Sequence, residues 1–126
     1  MMSQANVQQR PVLVVGAGPI GLTAALALRH FGLPATVIEA EPKDRLRPGS
    51  RAIYFHKATL QHLEDIYPGL GKTFAEHGVV WPIKRTLFRG KEVYVKRYPS
   101  PDLNALPPFT SLPQVEAEKF LYNACL

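Results

Sequence analysis

The stretch Val12-Leu-Val-Val-Gly-Ala-Gly-Pro-Ile-Gly-Leu22 decides the fold of this chain. A short apolar run is followed at once by glycines in the G-x-G-x-x-G spacing. Gly16 permits a tight turn after a strand, Gly18 allows a pyrophosphate to approach the backbone, and Gly21 lets a helix pack closely on that strand. The stretch therefore predicts a strand, a glycine turn and a helix that together bind a dinucleotide.

The residues on either side of the turn complete this prediction. Pro19 is compatible with a first helical turn, where its missing N–H would have no partner, and Ile20 and its neighbours offer N–H groups to a phosphate. The apolar run 35–38 predicts a second strand that leads into Glu39. A carboxylate there can accept hydrogen bonds from the ribose hydroxyls of an adenosine, and it would repel a 2′-phosphate. Together these features predict a βαβ unit.

Other interpretations of the same stretch are weaker. Glycines collect in turns for many reasons, but here the strand, the helix and the acidic second strand follow in order. Residues 11–28 carry no charge, and the length of this stretch is close to the roughly 18 residues of a membrane span. Ala25-Leu-Ala27 also resembles a signal-peptide cleavage site. Gly16 and Pro19 would interrupt such a helix, whereas a buried parallel strand followed by an alanine-rich helix requires a break at this point.

Composition narrows the function classes. The 126 residues, 46% of them hydrophobic, suffice for one core. The net charge of +5 comes from scattered basic residues without a ladder of aromatic side chains, so nucleic-acid binding is not favoured. Cys125 is the only cysteine, which predicts no intrachain disulfide and a reducing, cytoplasmic location. The four histidines lack metal-ligand spacing, and no metal is predicted.

Periodicity and turn residues predict the other elements. Residues 1–10 are expected to be disordered. The predicted order after them is strand Pro11–Val15, helix Ile20–Phe31, strand Ala35–Glu39, an irregular basic loop Ala40–Ser50, a helix containing Leu60, Leu63 and Ile66, a helix Leu70–His77, a hairpin of Ile83–Phe88 and Glu92–Lys96, an extended proline-rich connection Tyr98–Pro113, and a helix Gln114–Leu126. The predicted fold class is α/β.

Two parallel strands alone leave apolar surface uncovered, because a parallel sheet is normally packed on both faces. The last predicted helix also ends without a Gly or Asn cap. We therefore expect the chain to be a fragment of a larger protein, with residues 11–126 forming one partial domain.

The whole pattern resembles the FAD-dependent aromatic hydroxylases, the single-component flavoprotein monooxygenases typified by p-hydroxybenzoate and phenol hydroxylases. The resemblance rests on the glycine turn, Val37-Ile-Glu39, Ser50-Arg51-Ala52, and Gln114 with Glu118 and Leu121. It implies an incomplete Rossmann-like FAD-binding domain of the glutathione-reductase type with a small β-hairpin insertion. It also implies FAD as cofactor and NAD(P)H as co-substrate of the parent enzyme.

The resemblance also implies roles for three polar residues. Glu39 would hold the adenosine ribose, Arg51 would lie on the pyrophosphate side, and Gln114 would reach the ribityl or pyrophosphate region. A guanidinium suits phosphate oxygens, and an amide can both donate and accept. Simpler interpretations stay open, since Arg51 could cap a helix or pair with an acidic residue, and Gln114 could satisfy its own helix start. Glu116 and Glu118 are interpreted as charges that favour the helix dipole.

In the resembling family, NAD(P)H reduces FAD, and O₂ then supplies the oxygen atom that is transferred to an aromatic ring. The chain lacks the later segments that meet the nicotinamide and the flavin, so whether it is an enzyme by itself is left open. Another FAD oxidoreductase of the same fold and a non-catalytic nucleotide-binding fragment are the alternatives. No catalytic residue is predicted, and neither a membrane nor a nucleic acid is an expected partner.

Overall fold

The computed structural model describes residues 12–43, 54–100, 102 and 104–126. The elements in chain order are β1 Val12–Val15, α1 Pro19–His30, β2 Ala35–Ile38, β3 Tyr54–His56, α2 Lys57–Ile66, α3 Leu70–His77, β4 Ile83–Phe88, β5 Lys91–Arg97, β6 Phe109–Ser111 and α4 Gln114–Cys125. The predictions for residues 1–11, for most of the basic loop and for Arg51 lie outside the described residues.

The predicted βαβ unit is confirmed. Strands β1 and β2 are parallel, with Val12 opposite Ala35 and Val15 opposite Ile38. Helix α1 begins at Pro19 and ends at His30, one residue earlier at each end than predicted. The chain then turns at Gly32, whose φ of +73° lies in the region that glycine adopts at little cost.

The core lies between the helices rather than beneath the parallel strands. Leu22 and Leu26 of α1 pack with residues of the other three helices, among them Leu60, Phe74 and Leu121. At the end of α4, the Arg29 guanidinium donates to the carbonyl oxygens of Ala124 at 2.6 Å and Cys125 at 3.2 Å. The last carbonyls of α4 thus gain partners from α1, which ties the two helices together.

One pairing was not predicted. Strand β3 pairs antiparallel with β6, so that Tyr54 lies opposite Ser111 and His56 opposite Phe109. The described residues of the connection Tyr98–Pro113 are non-helical, as predicted, but they include β6. The rings of Tyr54, Trp81 and Tyr98 surround that of Phe109 with centroid separations of 4.5–4.9 Å. Aromatic packing accompanies this pairing. Because each strand has only three residues, hydrophobic periodicity gave no signal for the pairing.

The predicted hairpin is confirmed, and β5 is one residue longer at each end than expected. Arg89 and Gly90 form the turn with φ values of 48° and 76°. A bulge between Thr86 and Leu87 shifts the register of the two strands. The hairpin is thus a separate two-stranded sheet beside the βαβ unit.

The parallel strands are covered unevenly. Val14 and Val37 are half-buried, whereas Leu13 is 58% exposed and Val15 is 77% exposed. Alternate residues of a strand point to opposite faces, so only one face of the pair is packed. Within the described part of the chain, no helix has the length and apolar character needed to cross a bilayer, and no three metal-ligating side chains cluster.

Candidate nucleotide-binding site

The glycine turn is held against both strands. Gly16 has a φ of +100°, and its N–H donates to the Ile38 carbonyl at 2.7 Å. A β-carbon at Gly21 would lie 1.9 Å from the Gly16 oxygen and 3.3 Å from a methyl of Val14. Gly21 is therefore required by the contact between helix and strand, as the sequence predicted.

Gly18 is different, because no protein contact requires it. Its φ of −79° is open to any residue, and a β-carbon there would meet no atom within 4 Å. The first bond of helix α1 runs from the Leu22 N–H to the Gly18 carbonyl at 3.0 Å, so the N–H groups of Ile20 and Gly21 precede the helical ladder. Ile20 itself is 86% exposed. The turn thus leaves open space in front of a helix N-terminus.

The carboxylate of Glu39 crosses this turn. One oxygen accepts from the Ala17 N–H at 2.8 Å, and the other accepts from the Glu41 N–H at 3.0 Å. The side chain therefore joins the end of β2 to the glycine turn. Its negative charge is fixed close to the N-terminus of α1, where the helix dipole favours an anion.

A cleft of about 460 Å³ opens beside this carboxylate. The residues around it come from the glycine turn, from the segment after β2 and from one side of α4; they include Ala17, Glu39, Pro42, Lys43, Val115, Glu118, Lys119 and Tyr122. The Lys43 ammonium lies 4.6 Å from the centroid of the Tyr122 ring, a cation–π contact between the segment after β2 and α4. The sequence placed Lys43 in a basic loop expected beside the nucleotide site, whereas Tyr122 was missed because it belongs to no motif.

Gln114 is the first residue of α4, on the helix that borders the cleft. Its Nε2 donates to Oε1 of Glu118 at 2.7 Å, and Glu118 is only 7% exposed. Glu116 lies in the first turn, as the helix-dipole interpretation expects. For Glu118 that interpretation is incomplete, because its carboxylate is buried and hydrogen-bonded. The i, i+4 spacing of Gln114 and Glu118 was the available signal.

The structure thus brings Glu39 to the predicted glycine turn, whereas Gln114 is not among the residues that line the cleft. Gly16, Gly18 and Gly21 form the turn, Pro19 and Ile20 open α1, and Glu39 spans the turn. Gln114 begins the helix whose Val115 and Glu118 line the same cleft. Arg51 lies outside the described residues, so its predicted role stays a prediction.

Comparison with known proteins agrees with this geometry. The sequence profile of the FAD binding domain family matches residues 9–125. The chain is 39% identical over 56 residues to 4-methyl-5-nitrocatechol 5-monooxygenase of Burkholderia sp, which covers 44% of the chain and 10% of that protein. It is 37% identical over 71 residues to para-nitrophenol 4-monooxygenase of Pseudomonas sp. (strain WBC-3), covering 56% and 17% respectively.

Among solved structures, the flavin-dependent monooxygenase PieE, in complex with FAD and substrate, superposes with a TM-score of 0.67 at 25% identity. The match covers 96% of this chain and 22% of PieE. The matches thus span between a tenth and about a fifth of the length of these proteins. With the family profile matching nearly its whole length, the chain belongs to the FAD-binding domain family.

Proposed function

We propose that this chain is the adenosine- and pyrophosphate-binding portion of an NAD(P)H-dependent flavoprotein monooxygenase that hydroxylates phenolic or other aromatic substrates. Membership of the FAD-binding domain family supports the cofactor. Relatives named as nitrocatechol and nitrophenol monooxygenases support the reaction and the substrate class. In this proposal residues 11–126 form one partial domain.

The observation that carries the proposal is the position of the Glu39 carboxylate, held 2.8 Å from the Ala17 N–H beside the start of α1. An adenosine ribose that donates to this carboxylate would have its attached pyrophosphate beside the N–H groups of Ile20 and Gly21. The space in front of Gly18, which a side chain would occupy, fits the close approach of a phosphate. These residues therefore suit the adenosine half of FAD.

FAD, when bound, supplies the redox chemistry, accepting a hydride equivalent and reacting with O₂. The residues of this chain bind and orient. Glu39 fixes the ribose, the first turn of α1 neutralises phosphate charge, and Arg51 adds a guanidinium on the pyrophosphate side. Gln114 contacts the flavin-proximal half of the cofactor. No residue of this chain takes a catalytic role in the proposal.

Catalysis by the 126-residue chain alone is not expected. Ligand sites usually bury most of the ligand surface, whereas the residues around the start of α1 include Val15 at 77% and Ile20 at 86% exposure. The isoalloxazine ring lies at the other end of FAD from the adenosine, and no residue in this proposal encloses it. We expect weak FAD binding and no NAD(P)H-driven hydroxylation. The proposal includes a cytoplasmic location, consistent with a single cysteine in a reducing compartment.

The test compares two small ligands, AMP and adenosine 2′,5′-bisphosphate, by titration of the chain. Because Glu39 would repel a 2′-phosphate, we expect AMP to bind at least about fivefold more tightly, a difference of roughly 1 kcal/mol. Glu39→Gln should remove most of this preference. The Gln side chain cannot accept both backbone hydrogen bonds that the carboxylate now accepts, so the variant should also loosen the turn. The ratio of the two affinities is therefore compared, because a looser turn should weaken the binding of both ligands.

The matched control is Glu76→Gln, which removes the same charge from an exposed position on α3. It should leave the AMP preference unchanged. If the wild-type chain bound both ligands equally, or if Glu39→Gln kept the full preference, Glu39 would not contact the adenosine ribose.

A further inference from the structure

A second cavity, of about 430 Å³, lies where the base of the hairpin meets the start of α2. Trp81, just before β4, and Tyr98, just after β5, both line this hairpin-base cavity. Lys57, the first residue of α2, and Leu106 of the connection before β6 line it as well. The cavity shares no lining residue with the cleft beside Glu39, and the proposed function gives it no role.

The walls of the hairpin-base cavity are flat and apolar. The centroid of the Phe109 ring lies 4.5 Å from that of Trp81 and 4.9 Å from that of Tyr98. Phe109 is only 1% exposed, so the core supports both of these rings. Four prolines, whose backbone φ is fixed, also line the cavity: Pro82, Pro99, Pro107 and Pro108. Flat walls with little conformational freedom suit a planar ring as ligand.

Lys57 and Asp102 are the charged side chains among the described residues that line this cavity. Oδ1 of Asp102 accepts from the Asn104 N–H at 2.9 Å, within its own turn. The Lys57 ammonium has no hydrogen-bond or ion-pair partner in the described part of the chain. It also stands in the first turn of α2, where the helix dipole disfavours a cation, so helix stability does not explain its position. Lys96, whose ammonium lies 5.1 Å from the centroid of the Tyr98 ring, adds positive charge beside the aromatic wall.

We propose that the hairpin-base cavity binds a planar aromatic ring that carries one negative charge at its edge, such as an aromatic carboxylate. The ring lies against Trp81 and Tyr98, and the Lys57 ammonium pairs with the anion. Asp102 opposes a second negative charge, so a monoanion fits better than a dianion. This site is separate from the nucleotide cleft and does not rest on the proposed function.

The first measurement uses the wild-type chain and three small probes. Trp81 is the single tryptophan, so its indole N–H gives one identifiable resonance in the ¹⁵N-labelled chain. Benzoate should shift this resonance saturably. It should bind at least about fivefold more tightly than benzamide, which lacks the charge, and than cyclohexanecarboxylate, which lacks the planar ring. An indole resonance that does not move, or equal affinities for the three probes, would overturn the proposal.

The second measurement locates the charge that recognises the anion. Lys57→Gln should remove most of the preference for benzoate over benzamide. Lys72→Gln, the same loss of charge at an exposed position of α3, should keep this preference. Asp102→Asn retains Oδ1 as an acceptor for the Asn104 N–H, and should tighten benzoate binding by about twofold because a like charge is removed. A full preference in Lys57→Gln, or weaker benzoate binding in Asp102→Asn, would contradict the proposed contacts.

A further variant separates this cavity from the nucleotide cleft. Lys43 is a cation that lines the nucleotide cleft and could attract an anion there. Lys43→Gln should therefore leave the benzoate titration of the Trp81 resonance unchanged. Loss of benzoate binding in Lys43→Gln would place the anion in the nucleotide cleft and overturn the proposal. Because none of these measurements uses a nucleotide, they decide the proposal whether or not the chain binds FAD.

Discussion

Two glycines of the same turn should respond in opposite ways to the same substitution. Gly21→Ala puts a β-carbon 1.9 Å from the Gly16 oxygen, where real β-carbons stay beyond about 3.0 Å. The helix and the strand must separate by more than an ångström, and both are packed against neighbours. Overpacking of this kind costs about 3 kcal/mol of unfolding free energy.

Gly18→Ala meets no atom within 4 Å and keeps an allowed φ of −79°. Alanine caps a helix less well than glycine, but it also restricts the unfolded chain, so we expect stability to change by no more than about 1 kcal/mol. Binding should suffer instead. A methyl group in front of the helix start displaces the pyrophosphate from one or two N–H groups, which predicts a 10- to 100-fold loss of affinity for ADP, or about 1.4–2.7 kcal/mol.

Urea unfolding, followed by the fluorescence of the single tryptophan Trp81, measures the unfolding free energy. Trp81 is a suitable probe because it belongs to the aromatic cluster around Phe109 and not to the turn. Titration with ADP measures the affinity for the nucleotide. The reasoning would be refuted if Gly18→Ala bound ADP like wild type, since the open space would then not be a phosphate site. Equal destabilisation by both variants would show that Gly18 is a structural glycine like Gly21.

Three further outcomes are expected. Arg29→Met keeps the aliphatic stem of the side chain but removes the donors to the Ala124 and Cys125 carbonyls, so it should lower the unfolding free energy by about 1–2 kcal/mol. Urea unfolding measures this change, with Lys72→Met as the control. Thr110→Val should raise the unfolding free energy by about 1 kcal/mol, because the hydroxyl of Thr110 is buried without a hydrogen-bond partner in the described part of the chain. An unchanged unfolding free energy would mean that this hydroxyl is solvated. Burial raises the pKa of the Cys125 thiol, an effect that Arg29 partly opposes, so iodoacetamide at pH 8 should alkylate the folded chain more slowly than the urea-unfolded chain. Equal alkylation rates would contradict this expectation. Any stability that the neutral thiol contributes should decrease as the pH rises above the pKa of the unfolded thiol.

The sequence predicted those parts of the structure whose determinants are local. The glycine turn, Pro19 and the run into Glu39 lie within about thirty residues, and each residue type has a backbone reason for its position. Helices α2 and α3 were predicted from apolar spacing and from the glycines that bound α3. The hairpin followed from alternation around Arg89 and Gly90.

Features that depend on distant contacts could not be predicted in this way. Strand β3 exists because β6, more than fifty residues later, pairs with it. The cation–π contact between Lys43 and Tyr122 likewise joins segments far apart in sequence. Neither a three-residue strand nor a single lysine has a periodic pattern of its own, so tertiary packing alone determines both.

Glu118 illustrates how such a contact changes the meaning of a residue. In the sequence it is one of two acidic residues near a helix start, and the helix dipole accounts for both equally well. In the structure, Glu118 is only 7% exposed, whereas Glu116 lies in the partly exposed first turn of α4. A buried carboxylate is costly unless it is hydrogen-bonded, and the Nε2 of Gln114 at 2.7 Å provides one such bond. Burial and this hydrogen bond give Glu118 a structural role that Glu116 does not share, although the sequence presents the two residues alike.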